Sequence, residues 1–347
     1  MNESANKVHK SVVIWLIIIY LMIYIMVSLG GITRITGSGL SMVEWKPIYG
    51  VLPPLTESDW NEVFEKYKTY PQYLEENSQM GLEEFKSIFF WEYFHRVFGR
   101  LIGVVVFFPW LYFKLRKRLT PYVSKWSFFG LIWGGTQGLI GWYMVKSGLV
   151  DKPEVSHYRL TLHLFMAFFV AILFFWILVN YLDLKKYRDK SLRPSGMKPV
   201  YFISGLFVLQ ILYGAFMGGK KAGYLYKTFP LMNGQWLPTD FIEEEFNIFY
   251  QLCENMSLIH YMHRLLALIL LISIVILAFK LFMKGDKILK ITASVYLFLI
   301  IAQVTTGALT VMTSVQLEHA VIHQSFAVLL LTTHSFVFYL LKPDKVN

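Results

Sequence analysis

Eight apolar runs of about 20 residues set the limits on what this chain can be: 12–31, 95–113, 126–145, 160–182, 199–218, 260–281, 288–308 and 320–341. Each is long enough to cross the hydrocarbon core of a bilayer as a helix, which takes roughly 20 residues. Only a helix or a closed barrel satisfies its own backbone hydrogen bonds in lipid, and runs of this length are helical. The composition agrees. Only 16% of the 347 residues are charged, against about 25% in a soluble domain, which excludes a soluble enzyme, a disordered chain and a disulfide scaffold. The first run is too long for a signal-peptide core, and no small-residue cleavage site or Arg- and Ser-rich transit segment is evident. A retained helix in a bacterial membrane is expected.

Charge predicts the orientation. Segments on the side of the termini hold 19 of the 33 Lys and Arg, including KLRKR at 114–118 and KKYRDK at 185–190, but only 5 of the 23 Asp and Glu. Basic short loops stay in the cytoplasm, so both termini are expected there, as an even number of spans requires. The net charge of +10 serves the membrane and not a nucleic acid. Two outer segments are long. Residues 44–90 carry a dense acidic set between Glu57 and Glu84, and 219–258 carry Glu243, Glu244, Glu245 and Glu254. Apolar residues are interleaved, as in LEEFKSIFF at 82–90, so short amphipathic helices over the outer face are expected.

The chain also repeats itself. FHRVFGRLIG at 94–103 resembles MHRLLALILL at 262–271. Gln137 and Gly141 recur as Gln303 and Gly307, His163 as His323, and Gly30-Gly31 as Gly218-Gly219, in the same order. The predicted architecture is therefore an all-α integral membrane protein with eight transmembrane helices in two pseudo-symmetric four-helix bundles, residues 1–190 and 191–347. A repeat with an even number of spans keeps its orientation, so the expected symmetry axis lies along the membrane normal.

Chemistry rests on four of the nine histidines. His95, His163, His263 and His323 lie near the outer ends of even-numbered spans, one pair per repeat. Ionisable residues inside spans are uncommon and mark functional sites. Zinc normally takes further Cys, Asp or Glu ligands; the single cysteine, Cys253, cannot build such a site. A haem fits better, because its iron takes two axial imidazoles from facing helices of a bundle. Arg96 and Arg264, each following a paired histidine, and Arg34, Arg100, Lys220 and Lys221 are placed either to pair with propionates or to snorkel to the interface.

Glu92 breaks the symmetry. It lies three residues before His95, on the same helix face, and the corresponding place near Ile259 or His260 holds no carboxylate. One half is thus expected to do chemistry, with Glu92 moving protons or positioning water, while the other keeps a permanent cofactor. Two bound imidazoles leave no open position on iron for O₂, so water is the natural source of oxygen. The alternatives are a di-haem b cytochrome carrying electrons from quinol and a paired-repeat transporter, the latter disfavoured because no span is plainly broken by proline near its midpoint. No role is assigned to His9, His157, His260, His319 or His334.

Several stretches together resemble the haem A synthase family over nearly the whole chain: GGITRITGSGLSMVEWKPIYGVLPPL (30–55), YKTYPQY (67–73), GLEEFKSIFFWEYFHRVFGR (81–100) and AGYLYKTFPLMNGQWLP (222–238). The resemblance implies eight spans in two four-helix halves and conversion of the C8 methyl of haem O to the formyl group of haem A, for terminal respiratory oxidases. It implies that His95 and His163 hold substrate haem O, that His263 and His323 hold a haem b cofactor, and that Glu92 acts in the chemistry. It also implies haem O synthase and cytochrome oxidase assembly proteins as partners in the bacterial inner membrane. One branch of the family carries paired cysteines in its outer loops; with Cys253 alone, this chain is expected in the branch without them.

Overall fold

The structure is a computed structural model that describes residues 8–44, 52–150, 152–187, 193–238 and 247–342. Lys7, the acidic run Glu243, Glu244 and Glu245, and the domain boundary expected at 190/191 lie outside these residues. The described chain is helical: α1 (Lys10–Ile35), α2 (Glu57–Lys68), α3 (Leu82–Leu115), α4 (Pro121–Lys146), α5 (His157–Tyr181), α6 (Arg193–Gly219), α7 (Ile248–Glu254), α8 (Met256–Lys284), α9 (Lys287–Met312) and α10 (Leu317–Leu341). Seven of the long helices are long and apolar enough to cross a membrane, and the chain is an integral membrane protein. The remaining long helix, α4, overlaps the third expected run and matches α1 in length at 26 residues. Its apolar character is diluted by five glycines, Thr136 and Gln137.

The helix starts are written in the local sequence. Thr120 accepts from the Val123 N–H ahead of Pro121, Asn255 from the Leu258 N–H and Asp286 from the Leu289 N–H, so that side-chain oxygens take up orphan amides at the first turns of α4, α8 and α9. Inside α3, Pro109 cannot donate to the carbonyl of Val105. The Trp15 indole of α1 donates to that carbonyl at 2.8 Å, so a proline break in an apolar helix is satisfied by a neighbour. α3 has 34 residues and is about 50 Å long at 1.5 Å per residue, well beyond the roughly 30 Å of a hydrocarbon core. Its first turns carry Phe85 and Phe89 against Phe64 and Tyr67, closing an aromatic cluster with α2.

The chain divides into two compact units, Met1–Val170 and Ala171–Asn347. In the first, α3 packs on α1 and α4, and α5 is tied to α4 by the Gln137 carboxamide donating to the His163 carbonyl at 2.7 Å and by Arg159 donating to the Tyr143 carbonyl at 2.8 Å. In the second, α6 packs on α8, α8 on α9, α9 on α10 and α10 on α6, a closed ring of four helices around a core that includes Ile203, Leu270, Ile274, Tyr296 and Val337.

A backbone device repeats in both units. Gly37, at φ 68°, ends α1 and leads into a 3₁₀ turn at Ser38–Leu40; Lys221, at φ 55°, follows α6 and leads into a 3₁₀ turn at Ala222–Tyr224. Glycine takes the left-handed region freely, whereas Lys221 bears the strain of a Cβ there. Lys221 lies 184 positions after Gly37. This register corrects the glycine repeat. At the same spacing the counterpart of Gly30 is Gly214, one turn before Gly218-Gly219.

Candidate functional sites

His163, His263 and His323 lie six or seven residues into α5, α8 and α10. His95 lies further along α3, whose first turns pack against α2. Each imidazole meets a glycine on the long helix before it. A Cβ built on Gly30 falls 3.5 Å from His95 Nε2, on Gly141 3.0 Å from His163 Cε1, on Gly214 3.3 Å from His263 Cε1, and on Gly307 2.8 Å from His323 Cε1. A methyl group at 307 or 141 would drive the ring from its place. Four glycines thus leave four rings their room.

The rings come in pairs. His263 and His323 stand with ring centres 6.5 Å apart and planes at 75°. Two imidazoles binding one metal ion from opposite sides, at bonds of about 2 Å, have centres roughly 6 Å apart. His95 and His163 are within each other's electrostatic reach. Among the described residues no cluster of three or more His, Cys, Asp or Glu could hold a metal ion. The donor set is therefore two imidazoles per site, which suits an ion whose remaining ligands come from a macrocycle. The residues of the second unit fit haem, and His95 with His163 offers the same donor types in the first.

Glu92 is 5% exposed, and its Oε1 accepts from Arg96 Nε at 2.6 Å. The pair compensates a buried charge that alone would be costly. Arg96 also donates to the carbonyls of Met42 and Glu44. In the second unit Arg264 donates to the carbonyls of Tyr226, Pro230 and Leu231. Both arginines therefore fasten the segment that follows the preceding long helix, a role that sequence reasoning missed, and each fork has donors to spare. Lys220, one of the cations placed for a propionate, instead pairs with Glu254 at 2.8 Å. Arg34 lies exposed in the last turn of α1, and Arg100 lies one turn beyond Arg96.

His260 lies as far before His263 as Glu92 does before His95, which decides between Ile259 and His260 as the counterpart. Its Nδ1 donates to the Ala222 carbonyl at 3.0 Å, and its ring meets Tyr226 edge-on. His334 is held by Ser204 Oγ at 2.8 Å and Tyr296 OH at 2.9 Å, one on each ring nitrogen, against Phe207. It is a polar tie of the α6–α9–α10 core. His319 meets Thr313 Oγ1 at 3.1 Å. Sequence reasoning also missed Gln210 and Gly214. The signal was there: Gln-x-x-x-Gly occurs at 137–141, 210–214 and 303–307.

The fold defines a multi-pass helical membrane protein with a pair of histidines in each unit, each ring set against a glycine. The cytochrome oxidase assembly protein family (COX15-CtaA) matches residues 13–335. Relatives named "Heme A synthase" align along almost the whole chain. The one from Nitrosospira multiformis is 40% identical over 97% of this chain and 95% of its own length. That of the Wolbachia of Brugia malayi is 40% identical over 98% and 99%, and that of Pelagibacter ubique 38% over 98% and 99%. The chain belongs to the haem A synthase family.

Proposed function

We propose that this chain oxidises the C8 methyl group of haem O to the formyl group of haem A in a bacterial inner membrane, using haem b as its resident cofactor. The observation that carries this reading is the repeat of two imidazole pairs, each ring facing a glycine, in a chain of the haem A synthase family. All eight long helices cross the membrane in this reading, in two four-helix halves, with both termini in the cytoplasm. The polar character of α4 follows from its carrying Gln137 and Gly141 of a site.

His95 and His163 bind the iron of substrate haem O, and His263 and His323 bind haem b. Bound haem b supplies reversible one-electron transfer. Glu92 is the catalytic residue. Arg96 engages its Oε1, which leaves Oε2 to accept a proton released as the methyl group is oxidised. Arg96 and Arg264 keep the outer loops closed and use their remaining N–H groups on propionates. With both axial positions of the substrate filled during oxidation, oxygen comes from water, and electrons leave to an external acceptor. Haem O synthase upstream and oxidase assembly proteins downstream are the matching partners.

Acid extraction of the purified protein, with chromatography and mass detection, tests this. Haem b together with haem O, haem A or a hydroxylated intermediate is expected. Haem b alone at two per chain identifies a di-haem cytochrome instead. Turnover in labelled water should place the label in the formyl oxygen; label arriving from O₂ alone overturns the water route. Glu92→Gln should retain haem in both sites and accumulate haem O.

A further inference from the structure

The two repeats differ in one further place beside an axial histidine. Gly30 and Gly214, Gly37 and Lys221, and Met26 and Gln210 are all 184 positions apart. Each of the four glycines that face a histidine has a residue one turn before it on the same helix face. That residue is glutamine in α4, α6 and α9, and Met26 in α1.

The glutamines touch their histidines. Gln137 Nε2 donates to the His163 carbonyl at 2.7 Å. Gln210 Nε2 lies 3.2 Å from His263 Nδ1 and 3.3 Å from its carbonyl. Gln303 Nε2 lies 3.4 Å from His323 Nε2, and the Gln303 carbonyl accepts from His323 Nδ1 at 3.0 Å. All three carboxamide oxygens are buried with no hydrogen-bond partner among the described residues, as is His163 Nδ1. An imidazole that gives one nitrogen to a metal needs an acceptor for the N–H of the other, and that contact fixes its orientation and raises its basicity. At His323 the Gln303 main-chain carbonyl is that acceptor, and at His263 the Gln210 carboxamide, whose two ends are interchangeable, offers one to Nδ1, whereas Gln137 meets only the main chain of His163. Met26 offers no N–H and only a weak acceptor. Its Cε lies 3.2 Å from a Cβ built on Gly99, one turn after His95; the corresponding place after His263 is Ala267.

We propose that Gln210 and Gln303 are positioning residues that hold the two axial imidazoles of the resident haem in their metal-binding orientation. His95, with Met26 in that place, is then the ligand whose bond to the substrate iron opens. This rests on the assignment of His95 and His163 to haem O and of His263 and His323 to haem b. It explains why one haem stays and the other turns over: both ligands of the resident haem are held, and His95 of the substrate pair is not. Only the bond between iron and His95 breaks and re-forms, at loading and release. Nothing is oxidised in that step, and both ligands are in place during oxidation.

The test uses the full-length protein in detergent, loaded with haem O, as wild type and as Met26→Gln, Met26→Leu and Gln210→Met. Carbon monoxide binds ferrous haem only where an axial ligand has left, and transfer of haem to an apoprotein acceptor reports release. In wild type and Met26→Leu, haem O should bind carbon monoxide and transfer out, while haem b does neither. Met26→Gln should slow the transfer of haem O roughly tenfold or more, the scale of an outer contact on a metal ligand, and suppress its carbon monoxide complex. Gln210→Met should open haem b to carbon monoxide and move its low-spin electron paramagnetic resonance signal. Met26→Gln behaving as wild type, or Gln210→Met leaving the haem b signal and its carbon monoxide resistance unchanged, overturns the inference alone. A wild type without low-spin haem overturns the assignment of the sites, and this inference with it.

Discussion

Gly141 and Gly307 leave their histidine rings the least room of the four. A Cβ at 307 would sit 2.8 Å from His323 Cε1, closer than real Cβ contacts come, whereas a Cβ at 30 would sit at an ordinary 3.5 Å from His95. Gly307→Ala is therefore expected to weaken haem binding in the second unit by roughly tenfold or more, while Gly30→Ala keeps its haem. Haem-to-protein ratio and the low-spin spectrum after purification check this; a fully loaded Gly307→Ala with an unaltered spectrum would refute it. The two roles of buried histidine separate at the same scale. His334 has both ring nitrogens engaged by Ser204 and Tyr296 and none left for a metal. His323 has a glycine before its ring and a partner ring across the site. From the sequence alone both are histidines in one apolar helix.

At the scale of elements, the acidic stretch 52–90 folds into defined helices. α2 starts with a capping box: Thr56 accepts from the Asp59 N–H, and the Asp59 carboxylate accepts from the N–H groups of Thr56 and Leu55. Phe64 and Tyr67 then fasten the helix to Phe85 of α3. The Thr56 and Leu55 hydrogen bonds hold Asp59 below its ordinary pKa. The charged form is favoured on folding, so the cap is fully effective above the unfolded value near 4 and is lost as pH falls through the lower folded value. Thr56→Ala should cost about 1 kcal/mol of α2 stability. Hydrogen exchange over 57–68 should show that loss of protection at pH 7 and a smaller one at pH 3. Equal losses at both pH values would remove Asp59 from the cap.

For the whole molecule, the charge asymmetry predicts an orientation that one residue can report. Cys253 is the sole cysteine; it lies in α7, in a segment proposed to be on the outer side, and is partly exposed. A membrane-impermeant maleimide added to intact spheroplasts should label it, and Cys253→Ser should abolish the label. Labelling only after the membrane is opened would invert the proposed topology. The repeat belongs to this scale as well. Left-handed residues at 37 and 221, 3₁₀ turns after them and glycine–histidine contacts recur in the two units, with Glu92 and Met26 the differences beside a paired histidine in the first and His260 and Gln210 in the second.

The sequence by itself determined the membrane class, the positions of the long helices, the four histidines and the odd carboxylate at Glu92. These follow from hydrophobic run length, charge bias and residue identity, which are local properties. Short helices in the outer segments were legible as acidic stretches with interleaved apolar residues, though not their caps or aromatic partners. Only the tertiary structure decided that Gly214, and not Gly218-Gly219, faces His263, and that Arg96 holds Glu92 while Lys220 pairs with Glu254. It also made His334 a tie between helices and brought three glutamines to three histidines. The physical reason is that a contact between helices depends on their rotation and register. A shift of one turn leaves the apolar pattern intact and changes every partner.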